Sequence, residues 1–199
     1  MALHYEGDDL IVRKIRVGEM ENNVYVLECP ETHEAILVDG CFEPGQILSG
    51  AEGASVVAIV QTHGHFDHVQ ALAALKESLD VPVLAQPGED YPVAIDREVS
   101  DGDTISFGNR SVTVLSTPGH TPAGICLWTE GHLVSGDTLF PGGPGNTWGN
   151  AEAFAQIIRS IETKLFVLPD DTAVYPGHGE DTTIGAEKPH LQEWKDRGW

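Results

Sequence analysis

A chain of 199 residues, 41% of them hydrophobic, is long enough to bury a substantial core as one domain. Its formal net charge of −20 disfavours partners such as nucleic acids and anionic membranes, because both need basic patches. No segment approaches the ~20 apolar residues of a membrane span, and the first residues do not resemble a signal peptide. Three widely separated cysteines indicate free thiols. We therefore expect a single cytoplasmic domain over residues 1–199.

Strands dominate the first part of the predicted chain, and strands and helices alternate after it. Continuous or alternating apolar runs predict the strands, and apolar residues three and four positions apart predict the helices. The predicted strands cover residues 10–17, 23–29, 34–39, 56–61, 81–85, 104–107, 111–115, 124–129, 132–135 and 172–175. The predicted helices cover residues 44–50, 69–79 and 151–165, and residues 183–197 are predicted to form a final helix or a turn followed by a helix. Asn150 is expected to cap the third helix, and residues 141–149 read as a Gly/Pro loop.

The segment 62–68, Thr-His-Gly-His-Phe-Asp-His, lies between a predicted buried strand and a predicted helix. Histidine and carboxylate are preferred ligands of divalent transition metals, and a loop between two rigid elements is a common place for function. A polar turn with chance histidines would explain one or two of these residues. It would not explain His63, His65, Asp67 and His68 together, so the segment predicts a metal site.

Three later loops each place one candidate ligand after a predicted strand. His120 lies in Thr-Pro-Gly-His-Thr-Pro, Asp137 in Ser-Gly-Asp-Thr, and His178 in Pro-Gly-His-Gly. Each residue taken alone is more typical of a turn or a cap. Strand ends that converge on one sheet edge can gather distant ligands, so the three loops together with residues 62–68 predict one composite site.

With these motifs, the chain resembles the metallo-β-lactamase-fold hydrolases over nearly its whole length. Within that group, the motifs at 117–122, 135–140 (Ser-Gly-Asp-Thr-Leu-Phe) and 175–179 (Tyr-Pro-Gly-His-Gly) are most similar to glyoxalase II. The similarity is greatest to short bacterial relatives that lack the long helical C-terminal domain. The resemblance implies an α/β fold, a four-layer αβ/βα sandwich.

The resemblance also implies two ligand sets for two divalent metal ions. One ion would take His63, His65 and His120, the second would take Asp67, His68 and His178, and Asp137 would bridge them. Zinc is the expected metal, although nitrogen and oxygen donors also suit iron and manganese. Asp39, which otherwise reads as a turn residue before Gly40, would orient a ligand histidine by a hydrogen bond.

The implied reaction is hydrolysis of a small-molecule thioester or related ester. A metal-bound hydroxide would attack the acyl carbon, and Asp67 would accept a proton or orient the hydroxide. Trp148 is the best candidate to face the substrate, and Lys188 is the nearby cation that could meet a carboxylate. The loop 141–149 has no Lys, Arg or Tyr, which predicts weak affinity for a glutathione thioester.

Two other activities on the same fold stay open. One is a lactonase. The other is a mononuclear iron dioxygenase acting on a persulfide, which would use chiefly His63, His120 and Asp137; the second ligand set disfavours it. A binding module with a structural metal would leave the open, Gly-rich approach to the site unexplained.

Overall fold

The computed structural model describes residues 3–198, so residues 1, 2 and 199 of the predicted domain lie outside the described part. The chain forms two compact units. The first consists of Met1–Val99 with Thr104–Val112, and the second of Ser100–Asp103 with Thr113–Trp199. That all 199 residues act as one domain stays a prediction. No helix within residues 3–198 has the length and apolar character needed to cross a bilayer.

The first unit contains a seven-stranded sheet, one further strand and three helices. Its strands are β1 (Leu3–Glu6), β2 (Ile11–Val17), β3 (Asn22–Glu28), β4 (Glu34–Val38), β5 (Ser55–Val60), β6 (Val83–Ala85), β7 (Arg97–Glu98) and β8 (Thr104–Phe107). Its helices are α1 (Pro44–Gly50), α2 (Phe66–Val69) and α3 (Leu72–Leu79). The sheet follows the order β1 to β7, antiparallel from β1 to β4 and parallel from β4 to β7. All seven residues of β3 are buried, and the middle four, residues 24–27, form its apolar run.

The helix predicted over residues 69–79 is interrupted. The amide of Ala71 donates to the carbonyl oxygens of Gly40 and Cys41, each at 2.8 Å, instead of continuing the helix. Helix α3 therefore begins at Leu72, whose side chain and that of Leu75 are fully buried against the sheet. A Cβ on Gly40 would lie 2.9 Å from Cα of Leu72, so this close approach requires glycine.

The second unit contains its own sheet and C-terminal helices. Its strands are β9 (Arg110–Ser116, from residue 113 on), β10 (Ile125–Thr129), β11 (His132–Gly136), β12 (Leu139–Phe140), β13 (Gly143–Pro144), β14 (Ala173–Pro176) and β15 (Thr182–Thr183). Its helices are α4 (Ala151–Ser160, extended by a π-helical turn Ile161–Leu165), α5 (Ile184–Glu187), a 3₁₀ turn (Lys188–His190) and α6 (Leu191–Arg197). The strand order runs β15-β14-β11-β10-β9, in which only the β14–β11 pair is parallel.

Local sequence explains the second unit's helices. The predicted cap is confirmed, because Oδ1 of Asn150 accepts the amides of Glu152 and Ala153 at 3.0 and 3.1 Å. Ile157, Ile158 and Ile161 are buried at the spacing that predicted the helix. Of the two predictions for residues 183–197, a continuous helix is wrong: the turn at Pro189 separates α5 from α6, since proline supplies no amide to continue the hydrogen-bond ladder.

Candidate metal centre

In the first unit, the parallel pairing of β4 and β5 brings two polar loops together. Val38 pairs with Val60, so Asp39 and Thr62 lie at the carboxyl ends of adjacent strands. The amide of Thr62 donates to Oδ1 of Asp39 at 2.7 Å, and its hydroxyl donates to Oδ2 at 2.8 Å. Asp39 has φ 68°, a left-handed conformation that aspartate tolerates better than most residues.

The buried carboxylate of Asp39 fixes the tautomers of two histidines. Nδ1 of His68 lies 2.9 Å from Oδ2 of Asp39, and an ionised carboxylate can only accept, so Nδ1 carries the proton. The Thr62 hydroxyl gives its proton to Asp39 and therefore accepts from Nδ1 of His63, at 3.0 Å. Both histidines thus keep Nε2 as a lone-pair donor, which is the form that binds a metal.

The other two candidate ligands of this unit lie beside them. The rings of His63 and His65 meet edge to face with centroids 4.8 Å apart. Oδ2 of Asp67 is 3.6 Å from Nε2 of His68 and accepts a 3.0 Å hydrogen bond from the amide nitrogen Nδ2 of Asn22. The first unit therefore gathers three imidazoles and a carboxylate, and buried side chains support them.

In the second unit, parallel pairing again positions ligands. Strand β11 ends at Gly136 and β14 ends at Pro176, and these two residues are partners in the parallel register. The loops that follow carry Asp137 and His178, and Oδ2 of Asp137 lies 3.5 Å from Nε2 of His178. The ring of His178 lies near Phe140, with centroids 6.4 Å apart.

The third candidate ligand of this unit, His120, lies in the loop between β9 and β10. The hydroxyls of Thr117 and Thr138 are 2.9 Å apart and join this loop to the one after β11. Nδ1 of His120 donates to the carbonyl oxygen of Asn146 at 2.8 Å, because a carbonyl can only accept. Nε2 is then the lone-pair donor, and it lies 3.4 Å from Oδ2 of Asp137.

An open cavity of about 560 Å³ adjoins the three candidate ligands of the second unit. Its lining includes His120, Asp137 and His178, together with Phe140 and residues 141–147 and 149 of the adjoining loop. Arg197, at the end of α6, also lines it. The cavity has the size of a small-molecule site, with an apolar wall and a few convergent polar groups.

The other predicted site residues have distinct positions. Trp148 is 65% exposed, and its ring lies tilted against His120 with centroids 5.2 Å apart. It is not part of the cavity lining described above, and its substrate-facing role stays a prediction. Lys188 is exposed, forms a 3.0 Å ion pair with Asp170 and does not line the cavity described above. Sequence reasoning missed Thr62, Asn22 and Arg197. Thr62 adjoins the ligand motif and was readable, whereas the other two come close only through the fold.

Comparison with known proteins identifies the family. A family model of the metallo-beta-lactamase superfamily matches residues 17–178. A hydroxyacylglutathione hydrolase from Polaromonas is 35% identical over 85% of this chain and 66% of that protein. The crystal structure of ETHE1 from Myxococcus xanthus is similar, with a TM-score of 0.80 and 31% identity over 91% of this chain and 83% of that one. The structure of TTHA1623 in a di-iron-bound form has a TM-score of 0.75 and 31% identity over 88% and 96% of the two chains.

The chain therefore belongs to the metallo-β-lactamase superfamily, whose members are metal-dependent hydrolases. The predicted family and the predicted αβ/βα fold class are confirmed. Hydrolase chemistry on a small molecule and divalent-metal binding follow from this membership. The chain spans about two thirds of the Polaromonas hydrolase, so a more particular activity is a matter of proposal.

Proposed function

We propose that this protein is a dinuclear metal-dependent hydrolase of thioesters or related esters. The seven candidate ligands would bind two divalent ions, zinc by preference, in the two sets that the family pattern implies. Asp39 would act by orienting His68 directly and His63 through Thr62. A cytoplasmic location and a single-domain organisation belong to the same proposal.

The observation that carries the proposal is a shared feature of three candidate ligands. His63, His68 and His120 each commit Nδ1 to a protein acceptor, namely a hydroxyl, a carboxylate and a backbone carbonyl. Histidines held in this way in metal sites present Nε2 with a fixed direction. The donor set of imidazoles and carboxylates fits zinc, iron or manganese. The di-iron-bound form of the similar TTHA1623 supports occupancy by two ions.

In the proposed reaction, the protein's own side chains have separate roles in proton transfer and substrate binding. The ions, when bound, lower the pKa of water to near 7 and polarise a carbonyl. Asp67 is a proton acceptor in this scheme, and Asn22 holds its Oδ2 in place with the 3.0 Å hydrogen bond. Phe140 and the loop 141–149 offer an apolar wall for the substrate. Trp148 would cover the substrate from the side of His120.

Of the alternatives, the mononuclear iron dioxygenase has a specific point in its favour. His63, His120 and Asp137 form a two-histidine, one-carboxylate set, which is the usual ligand set of non-haem iron oxygenases. Asp67, His68 and His178 would then have no metal to bind. The buried network that holds His68 and Asp67 therefore favours the dinuclear hydrolase.

Metal analysis combined with an activity panel tests the proposal. Purified protein is expected to contain two divalent ions per chain and to release thiol from a neutral thioester such as S-ethyl thioacetate. The panel includes a lactone and a persulfide, with oxygen consumption measured in parallel. One iron per chain together with oxygen uptake on the persulfide would replace the hydrolase by the dioxygenase.

A further inference from the structure

We propose that Glu187 is a positioning residue for substrate binding. Its buried carboxylate holds a β-hairpin in place as the apolar wall of the cavity, and that wall selects thioesters or esters with an extended apolar part. This inference rests on the proposed hydrolase function, in which Glu187 has no other role. The side chain is 5% exposed, and a buried carboxylate is costly unless its oxygens are hydrogen-bonded.

The wall is the hairpin that β12 and β13 form. Its strands have two residues each, and Phe140 pairs with Gly143 next to the turn. An isolated two-stranded hairpin is marginally stable at best, so this one needs support from the rest of the fold. Its base has such support, because Leu139 is fully buried and its carbonyl oxygen accepts the Ser135 hydroxyl at 2.8 Å. The turn at the other end needs a support of its own.

Glu187 supports the turn of this hairpin. Pro141 and Gly142 form the turn, and Gly142 has φ 85°, a conformation that favours glycine. Both turn residues are exposed, yet the amide of Gly142 donates to the buried Oε2 of Glu187 at 2.9 Å. Because a buried acceptor left unpaired costs free energy, the carboxylate opposes any opening of the turn.

Glu187 is itself fixed to the sheet that carries a candidate ligand. Its Oε1 accepts the Thr182 hydroxyl at 2.6 Å. Thr182 belongs to β15 and pairs with Val174 of β14, the strand that leads to His178. Ile184, the first residue of the helix that carries Glu187, is fully buried in the core. The carboxylate therefore ties the hairpin turn to the same sheet that positions His178.

The hairpin supplies apolar side chains to the cavity. Phe140, Pro141 and Pro144 line it, and the ring of Phe140 lies near His178, with centroids 6.4 Å apart. A cavity of about 560 Å³ has room for a molecule much larger than an acetyl ester. Each CH₂ group that moves from water to an apolar wall strengthens binding about fourfold. An apolar part of several carbons is therefore favoured over a short one.

Kinetics on matched thioesters test this inference with the metal-loaded protein. S-ethyl thiohexanoate has an extended apolar acyl part, S-hexyl thioacetate has an extended apolar thiol, and S-ethyl thioacetate is short on both sides. For the wild type, we expect KM to be at least about tenfold lower for one of the two extended compounds than for the short one. Glu187→Ala should raise that KM about tenfold, with kcat within about twofold and the short compound nearly unchanged, because only the wall is lost.

Two further variants separate positioning from a general loss of stability. Glu187→Gln keeps an oxygen that can accept from Gly142 and a nitrogen that can donate to the Thr182 hydroxyl, so KM should stay within about threefold of wild type. Glu162→Ala removes an exposed carboxylate of the same unit, whose partner is Lys195 at 2.8 Å, and should change neither KM nor kcat. An equal loss on the short and extended thioesters, or no rescue in Glu187→Gln, would overturn the role of Glu187.

Amide hydrogen exchange measures the support of the hairpin directly. In the wild type, the Gly142 amide should exchange at least about tenfold more slowly than in an unstructured peptide, because its acceptor is buried. Exchange should approach the peptide rate in Glu187→Ala and stay slow in Glu187→Gln. An unprotected Gly142 amide in the wild type would overturn the inference even if Glu187→Ala did not fold.

A binding measurement separates this inference from the proposed function. Calorimetry would use ketones in which CH₂ replaces the thioester sulfur: nonan-4-one and nonan-2-one for the two extended compounds, and pentan-2-one for the short one. Tighter binding of a nine-carbon ketone that is weakened about tenfold in Glu187→Ala supports the apolar wall even if no thioester is hydrolysed. If thioesters are hydrolysed but Glu187→Ala binds every ketone like wild type, the hydrolase survives and this inference fails.

Discussion

The ligand clusters of the two units are supported in different ways. In the first unit, the buried carboxylate of Asp39 orients His68 directly and His63 through Thr62. In the second unit, a backbone carbonyl orients His120, and the register of β11 with β14 positions Asp137 and His178. The first cluster therefore depends on buried side chains, chiefly that of Asp39, and the second chiefly on the main chain. Substitutions that spare the ligands should affect the first cluster more.

The largest effect is expected from the ligand proposed to bind both ions. Asp137→Ala should lose both metals and at least about a thousandfold in activity, since neither ion keeps its full set of donors. His190→Ala, a histidine outside the proposed sites, should retain both metals and normal rates. Elemental analysis and steady-state rates measure this. Two retained ions and normal turnover in Asp137→Ala would remove Asp137 from the site.

The thiol of Cys126, a buried residue of β10 in the second unit, should react slowly with alkylating reagents. Burial raises the pKa of the Cys126 thiol to about 11, and its hydrogen bonds to Thr117 and Ser135 hold it between the strands. At pH 8 its thiolate fraction should be about two hundred-fold lower than that of an ordinary cysteine. Mass spectrometry after brief alkylation, with a denatured sample as reference, measures the modification. Rapid labelling of Cys126 in the folded protein would mean that the main-chain support opens readily.

The first cluster should weaken when Asp39 loses its charge. Asp39→Asn keeps the shape and tolerates the left-handed backbone, but the amide nitrogen cannot accept from Thr62 or His68. We expect a 10- to 100-fold loss of metal affinity, the usual effect of removing a supporting partner of a ligand histidine. Competition with a chelator measures the affinity. The matched control is Asp171→Asn, which changes an exposed aspartate. An equal loss of metal affinity in that variant would show that Asp39 does not support the ligand histidines.

The smallest effect is expected from the corresponding change in the second unit. Asn146→Ala keeps the carbonyl that accepts from His120 and removes only the side-chain oxygen that accepts the Trp148 amide at 2.7 Å. Metal affinity should stay within about threefold of wild type, because the oriented histidine keeps its partner. The same chelator competition checks this. If Asn146→Ala lost as much metal affinity as Asp39→Asn, the proposed difference between side-chain support in the first cluster and main-chain support in the second would be wrong.

The sequence predicted what is encoded locally. The ligand motif 62–68 and the cap Asn150 depend on neighbours along the chain, and the structure confirms the cap. Strand β1 was missed, because Leu3–Glu6 is short and mostly exposed and has no apolar run. The break before Leu72 was also missed, because the Ala71 amide is taken by residues of another loop.

For the candidate site, too, the sequence predicted the local part and missed the contacts that the fold creates. All seven candidate ligands were readable as residue types in Gly- and Pro-containing loops, yet their supports were not. Asn22 reaches Asp67 from 45 positions away, and Arg197 approaches Gly143 only because α6 packs through Trp194. Such contacts depend on tertiary packing, so composition and spacing along the chain contain no signal for them.

The parallel register of β11 and β14 also limits which insertions and deletions the protein can tolerate. One residue inserted into or deleted from either strand would move its ligand loop by about 3.3 Å along the sheet. Metal–ligand distances tolerate only about 0.2 Å. Length variation within these strands should therefore abolish metal binding even where folding survives. The loop 141–149, which supplies none of the candidate ligands, is where natural or engineered insertions can alter substrate choice.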